Sequence, residues 1–181
     1  MVLANRLETL ERTCKRYGPG RLPGADRTRL GAGYAGASAA LVVALVFALG
    51  MAVLHWLGSP FGVGHVFWTM SAVVALPIVV PVAFLAATLV WSLLPVDGSG
   101  TGAFAGAVTA LLTYLGSLAV VFLVVSAALV VDGGPLQPSL VEAGQLTVLI
   151  GLFAVVFSGW LAVLFGSIGG GIYESVRASS P

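Results

Sequence analysis

Residues 31–96 read GAGYAGASAALVVALVFALGMAVLHWLGSPFGVGHVFWTMSAVVALPIVVPVAFLAATLVWSLLPV and contain no Asp, Glu, Lys or Arg. This uncharged stretch is too long for one membrane span, because about 20 apolar residues cross the hydrocarbon core of a bilayer. A turn-rich heptapeptide, GSPFGVG at residues 58–64, interrupts it. The sequence therefore predicts two transmembrane helices, at residues 31–57 and 65–94, joined by a short loop.

The rest of the chain supplies two more apolar segments, at residues 101–131 and 140–172, separated by the turn sequence DGGP at residues 132–135. Of all 181 residues, 59% are hydrophobic and only 8% are charged, and the mean hydropathy is +1.06. A water-soluble domain of this size has a far more polar composition. The sequence predicts an all-α integral membrane protein whose four transmembrane helices form an antiparallel bundle in the lipid bilayer.

Basic residues concentrate at the start of the chain. Seven of the eight precede residue 30, and the eighth is Arg177. Because Lys and Arg next to a span favour the cytoplasmic side, we expect a multi-pass cell-membrane protein with both termini in the cytoplasm. The same segregation leaves no basic face for a nucleic acid. Seven Arg against one Lys, together with abundant Ala, Gly and Val, are typical of a prokaryotic protein from a GC-rich genome.

The first 17 residues form a separate amphipathic element, in which apolar residues recur at helical spacing among basic ones. The contact residues predicted from this pattern are Leu3, Leu7, Leu10, Arg12, Lys15 and Arg16. We interpret the segment as a cytoplasmic helix that lies on the membrane surface; docking on a partner or a short coiled coil are the alternatives. Residues 18–30 are predicted as a basic Gly/Pro linker, and residues 173–181 as a short cytoplasmic tail.

Small residues recur every three or four positions along the predicted spans. Such residues let helix backbones approach one another closely in lipid. The predicted helix-packing residues are Gly102, Gly106, Gly144, Gly151, Ser158 and Gly166. Pro77 and Pro81 lie one turn apart in the second span, where each removes a backbone donor, and they are predicted to kink the helix. A gating hinge is the functional alternative to ordinary packing at these prolines.

Few side chains in the predicted spans could carry chemistry. The middle of each span lacks the titratable residue that ion-coupled or proton-coupled transport usually requires. His55 and His65 fall at the outer ends of adjacent spans, where two imidazoles could ligate a metal or a haem. Interfacial anchoring beside tryptophan is the alternative for both. Ser139 and Glu142 fit a helix capping box.

A non-enzymatic role is our interpretation of this sequence, because it contains no catalytic, zinc-binding or phosphate-binding motif and predicts no cofactor. We expect an accessory subunit or scaffold of a membrane complex, whose N-terminal helix contacts the membrane surface or a partner. The alternative is one protomer of a homo-oligomeric small-solute transporter or channel. Residues 34–41 resemble residues 104–111, and duplication of a two-helix hairpin would favour that alternative.

Overall fold

The computed structural model describes residues 22–24, 27–58 and 64–179, and its regular elements are all helical. They are α1 (Thr28–Trp56), α2 (Gly64–Leu93), α3 (Ser99–Val131), α4 (Leu136–Ala154), a π-helical turn (Val155–Gly159) and α5 (Trp160–Ser179). With α4, the π-helical turn and α5 taken as one continuous segment, four helices are long and apolar enough to cross a membrane. The predicted all-helical class is confirmed, as is the number of apolar helices that could cross a membrane.

The helix predicted at the N-terminus falls outside the described residues. Its predicted contact residues there are Leu3, Leu7, Leu10, Arg12, Lys15 and Arg16. The first described helix begins at Thr28, three residues before the predicted start of the first span. The amphipathic surface helix therefore stays a prediction.

Most apolar side chains of the four segments point away from the interior. In the most apolar window of each segment, between 6% and 22% of the residues are buried. Leu45, Leu49 and Leu115 each expose more than half of their surface. In water this would leave a large unfavourable apolar area, whereas lipid chains solvate it. The apolar exterior therefore fits a membrane-embedded protein.

The helices pack as two close pairs. α1 lies against α2, and α3 lies against α5. Contacts of α2 with α3, and of α1 with α5, join the two pairs, while α4 packs on α3. α2 is helical through Pro77 and Pro81, so both prolines are accommodated, and the kink remains a prediction.

The resemblance between residues 34–41 and 104–111 does not extend to the packing partners. Gly36 lies against Ala83 in α2, whereas Gly106 lies against Gly166 in α5. Gly106 follows Gly36 by 70 positions, but Gly166 follows Ala83 by 83 positions. The contacts within the two pairs are therefore not related by a single sequence offset, and the packing gives no support to a duplicated hairpin.

The fourth segment begins one turn earlier than predicted. α4 starts at Leu136, directly after Pro135, and Pro138 occupies its first turn. Proline is tolerated there because N–H groups of the first turn have no intrahelical acceptor. The Ser139 hydroxyl lies inside the helix and donates to the Pro135 carbonyl at 2.9 Å. No side-chain cap is present at this helix start, so the predicted capping box of Ser139 and Glu142 is wrong.

The fourth segment also ends later than predicted, because α5 continues to Ser179 instead of stopping at residue 172. The glycine run at residues 169–171 indicates a helix end in the sequence, since each glycine costs about 1 kcal/mol relative to alanine in a helix interior. In the fold, Gly170 lies directly against the backbone of Gly102 in α3. Close packing therefore offsets the cost, and most of the predicted tail is helical.

α3 ends in a Schellman motif at the turn that the sequence indicates. The Gly134 N–H donates to the Leu129 carbonyl and the Gly133 N–H donates to the Val130 carbonyl, each at 3.1 Å. Gly133 has φ of +90°, a conformation that residues with a Cβ rarely adopt. These two bonds satisfy carbonyl groups that the helix end would otherwise leave unpaired.

Candidate functional site

A buried carboxylate lies where α1 begins and α5 ends. Glu174 exposes only 2% of its surface. Its Oε1 accepts a hydrogen bond from the Trp91 indole N–H at 2.8 Å and another from the Arg177 guanidinium at 3.1 Å. Because an unpaired buried carboxylate is strongly unfavourable, these donors compensate for its lost hydration. We call Trp91, Tyr173, Glu174 and Arg177 the Glu174 cluster; it connects α2 to α5.

Tyr173 extends this cluster to α1. Its ring meets the Trp91 ring edge to face, with 5.8 Å between centroids and 86° between planes. Its hydroxyl donates to the Thr28 carbonyl at 2.8 Å. Ala32 of α1 and Ala105 of α3 are buried in the same apolar group as Trp91. Contacts from α1, α2, α3 and α5 therefore converge at this end of the molecule.

α3 and α5 cross with their backbones in contact. A Cβ built on Gly102 would lie 2.6 Å from the Gly170 carbonyl oxygen, and one built on Gly106 would overlap the Gly166 carbonyl. Only glycine leaves room for so close an approach. The structure thus brings together three sequence-predicted packing residues, Gly102, Gly106 and Gly166. Gly170 completes the contact and was not predicted.

The predicted packing residues of α4 lie in looser surroundings. The nearest side chain to a Cβ built on Gly144 is Phe122, at 4.0 Å. A Cβ built on Gly151 would meet Leu118 at 3.1 Å, and the Tyr114 hydroxyl donates to the Gly151 carbonyl. α4 therefore contacts α3 through large side chains, without the backbone contact seen between α3 and α5.

A π-helical turn interrupts the fourth segment at Val155–Gly159. Ser158, also predicted as a packing residue, lies in this turn, and its hydroxyl donates to the Ala154 carbonyl at 2.9 Å. Turns of this kind occur frequently at functional sites. Here Ser158 and Ala154 both line a cavity between the helices.

The cavity has a volume of about 280 Å³. Its lining extends from Trp91 and Tyr173 of the Glu174 cluster to Ile150 of α4, and consists mainly of Ala, Gly and Val. Thr109 and Ser117 of α3 also line it. Among the described residues, neither of these two hydroxyls has a hydrogen-bond partner. The cavity is therefore mainly apolar, and two of the hydroxyl groups on its wall have no hydrogen-bond partner among the described residues.

The two histidines are not brought into a described site. His55 is exposed near the end of α1, and the side chain of His65 lies outside the described residues. Within residues 22–24, 27–58 and 64–179, no three His, Cys, Asp or Glu side chains form a group that could hold a metal ion. The metal hypothesis for His55 and His65 stays a prediction.

Three residues central to these features are missed by sequence reasoning, namely Glu174, Trp91 and Thr109. Glu174 falls in the predicted tail, although Glu174 and Arg177 keep helical spacing after the glycine run. Trp91 lies at the end of the second span that shares a membrane side with Glu174 in the predicted topology. Their shared position on one side of the membrane is the signal from which a contact between Trp91 and Glu174 could have been predicted.

No protein-family profile, curated protein or solved structure matches this chain. Inference about function therefore depends on the Glu174 cluster, the contact between α3 and α5, and the cavity.

Proposed function

We propose that this chain is a non-enzymatic accessory subunit or scaffold of a membrane complex, with its four spans in an antiparallel bundle in the cell membrane and both termini in the cytoplasm. The observation that carries the proposal is the Glu174 cluster. It joins helices at the end of the molecule from which the basic N-terminal segment extends.

The contacts between α3 and α5 support the antiparallel arrangement. Gly102 meets Gly170, whereas Gly106, one turn later in α3, meets Gly166, one turn earlier in α5. The hydrogen bond from Tyr173 to Thr28 brings the end of α5 next to the start of α1. Because the number of spans is even, an antiparallel arrangement also puts the two termini on the same side of the membrane.

The charges support the proposed orientation. Arg27, Arg29 and Arg177 flank the end that carries the Glu174 cluster, whereas Asp132 and Glu142 lie beyond the opposite end of α3 and at the start of α4. An excess of arginine beside the spans marks the cytoplasmic side. A basic N-terminal segment on that side is positioned for the anionic lipid surface or for a partner protein.

In the proposed scaffold, the end that carries the Glu174 cluster faces the cytoplasm, and we expect the helices to be held rigidly there. A buried carboxylate with two donors and a backbone-to-backbone helix contact both restrict relative helix motion. The N-terminal segment is the part that we expect to make the specific contact.

A crosslinking pull-down from native membranes tests this function. The full chain is compared with a chain lacking residues 1–17 and with a triple substitution of the apolar stripe, Leu3→Ser, Leu7→Ser and Leu10→Ser. The matched control changes the other face of the same segment, with Asn5→Ala, Thr9→Ala and Thr13→Ala. Mass spectrometry identifies what co-purifies.

We expect partner proteins to be lost with the truncation and with the stripe variant, and to be retained with the control. Crosslinks only between copies of this chain, unchanged by the truncation, would contradict the accessory-subunit proposal.

The second candidate function is one protomer of a homo-oligomeric small-solute transporter or channel. The cavity beside the π-helical turn favours it, since helix irregularities at membrane depth commonly line solute pathways. To test this candidate, we measure the mass of the protein in mild detergent and correct it for the bound detergent. A mass equal to one chain contradicts this candidate; a stable multiple, with solute flux in proteoliposomes, supports it.

A further inference from the structure

We propose that the cavity is a binding site for a neutral, mainly aliphatic molecule that carries a carbonyl group, and that the Thr109 hydroxyl donates a hydrogen bond to that carbonyl. This inference concerns the interior of one copy and is independent of the proposed scaffold function.

The walls determine the apolar character of the ligand. Among the described residues that line the cavity, none is Asp, Glu, Lys, Arg or His. A charged ligand would therefore meet no compensating charge. The lining residues of α2 run from Ala75 to Trp91 at four-residue steps, so that the space extends about 24 Å along that helix. This length suits a flexible chain better than a bulky ring system.

Thr109 determines which polar group the ligand must carry. Thr109 is 6% exposed, lines the cavity, and its Oγ1 has no partner among the described residues. A buried hydroxyl without a partner is costly in an apolar interior, so such groups are normally satisfied by protein, water or ligand. A ligand acceptor beside Thr109 would remove that cost.

The other hydroxyl protons on the wall are already donated. Thr113 donates to the Thr109 carbonyl at 2.8 Å, Tyr114 donates to the Gly151 carbonyl, and Ser158 donates to the Ala154 carbonyl at 2.9 Å. Within the part of the chain that the structure describes, the Thr109 and Ser117 hydroxyls are not donated to any acceptor. They lie eight residues apart on α3, which is about 12 Å along a helix. A carbonyl oxygen suits Thr109 because it accepts a hydrogen bond without bringing a further donor into the cavity.

Trp91 provides a reporter for occupancy. It is 9% exposed and lines the end of the cavity, whereas Trp160 is 62% exposed on the outside. Brominated molecules in the surrounding lipid can quench the exposed Trp160, whereas protein covers most of Trp91. Saturable quenching of Trp91 above the non-saturable quenching measured at Trp160 therefore reports a molecule in the cavity. A protein with Trp56→Phe, Trp68→Phe and Trp160→Phe reports from Trp91 alone. A second protein that retains only Trp160 measures quenching at the outer surface.

The experiment measures fluorescence quenching in nanodiscs by the methyl ester of ω-bromodecanoic acid, with bromodecane as the matched probe lacking the carbonyl. We expect the ester to quench Trp91 saturably and bromodecane to bind more weakly. Thr109→Val should weaken ester binding about fivefold, the effect of one hydrogen bond. Thr147→Val is the matched control, because the Thr147 hydroxyl is also buried and unpartnered among the described residues but does not line the cavity.

A steric pair of variants tests the same site without removing a hydroxyl. Ala40 lines the cavity and Ala44, one turn later in α1, does not. Ala40→Leu should weaken ester binding at least tenfold, whereas Ala44→Leu should leave it unchanged. This pair keeps the proposal testable if Thr109→Val fails to fold.

A third arm distinguishes a free ester from a bilayer lipid as the source of the ligand. Nanodiscs made with a phosphatidylcholine brominated on its acyl chains replace the added probe. If the brominated lipid quenches Trp91 and the added ester does not, the ligand is an esterified lipid chain. If the added ester quenches Trp91 and the brominated lipid does not, the ligand is a free molecule. Absence of Trp91 quenching by both, or equal binding of ester and bromodecane, overturns the proposal. Equal effects of Thr109→Val and Thr147→Val overturn it as well.

Discussion

The two ends of the helix assembly are held together by different contacts. At the cluster end, defined by the Glu174 cluster and the Gly102–Gly170 contact, backbones touch and a buried carboxylate oxygen accepts two hydrogen bonds. At the loop end, defined by residues 118–131 of α3 and 136–150 of α4, Gly144 faces Phe122 at a distance of 4.0 Å. The backbone contact at the cluster end therefore depends on glycines on both facing helices, a pairing that Gly144 lacks.

The largest effect is expected for Gly106→Leu, at the cluster end. A side chain there overlaps the Gly166 carbonyl, so α3 and α5 must separate. We expect a loss of about 3 kcal/mol in the free energy of unfolding, measured by SDS titration in mixed micelles. The matched control is Gly50→Leu, because a Cβ on Gly50 meets no atom of the described residues within 4 Å. It should be neutral or slightly stabilising; an equal loss in both variants would contradict the comparison.

The next largest effect is expected for Glu174→Ala. The change removes the acceptor of the buried Trp91 indole N–H, and a buried donor left unpaired costs about 2 kcal/mol. Glu174→Gln retains a carbonyl acceptor and should lose about 1 kcal/mol less. The ion pair itself contributes little, because the Arg177 side chain is 41% exposed and is screened by water.

Glu142→Ala is the matched control for Glu174, because Glu142 is an exposed glutamate at the loop end. The free energy of unfolding should change by less than about 0.5 kcal/mol. Trp91 fluorescence adds an independent readout, since loss of the hydrogen bond alters the indole environment in Glu174→Ala alone. If the two alanine variants lose equal stability, the Glu174 cluster does not distinguish the two ends.

The number of helices and the turns between them were predictable because they depend on local composition. An uncharged run exceeding two span lengths requires a break, and the break falls at the heptapeptide of residues 58–64. Gly133 is explained in the same way, because the turn sequence DGGP at residues 132–135 favours a glycine with positive φ. Properties that depend on neighbours in sequence can be derived from the sequence alone.

The Glu174 cluster could not be derived in that way because it depends on neighbours in space. Trp91 and Glu174 are 83 positions apart, and the glycine run before Glu174 disfavours helix when considered alone. Only the glycines of α3 show why α5 remains helical there. The same holds for Thr109, because nothing in the sequence distinguishes its hydroxyl from the other Thr and Ser hydroxyls of the spans. That no described residue accepts from it is visible only in the packed cavity wall.

A smaller effect is expected for Gly133→Ala, at the loop end. Gly133 has φ of +90°, but a Cβ there meets nothing within 4 Å in the segments that the structure describes. The cost is therefore conformational, about 1 kcal/mol, without a steric contribution. Gly133→Asn should cost less, because asparagine tolerates the left-handed conformation. Equal losses for the two variants in SDS titration would show that a packing contact, and not backbone conformation, determines the cost.

The smallest effect, and the opposite sign, is expected for Gly144→Ala. Gly144 belongs to the same predicted set as Gly106, yet the added methyl would lie 4.0 Å from Phe122, an ordinary van der Waals distance. Alanine also costs less conformational entropy than glycine inside a helix, so we expect a gain of about 0.5 kcal/mol in unfolding free energy. Gly106→Ala, measured beside it, should lose stability because its methyl meets a backbone carbonyl. A loss at Gly144 comparable to that at Gly106 would mean that α4 approaches α3 as closely as α5 does. The two ends would then be held by the same kind of contact.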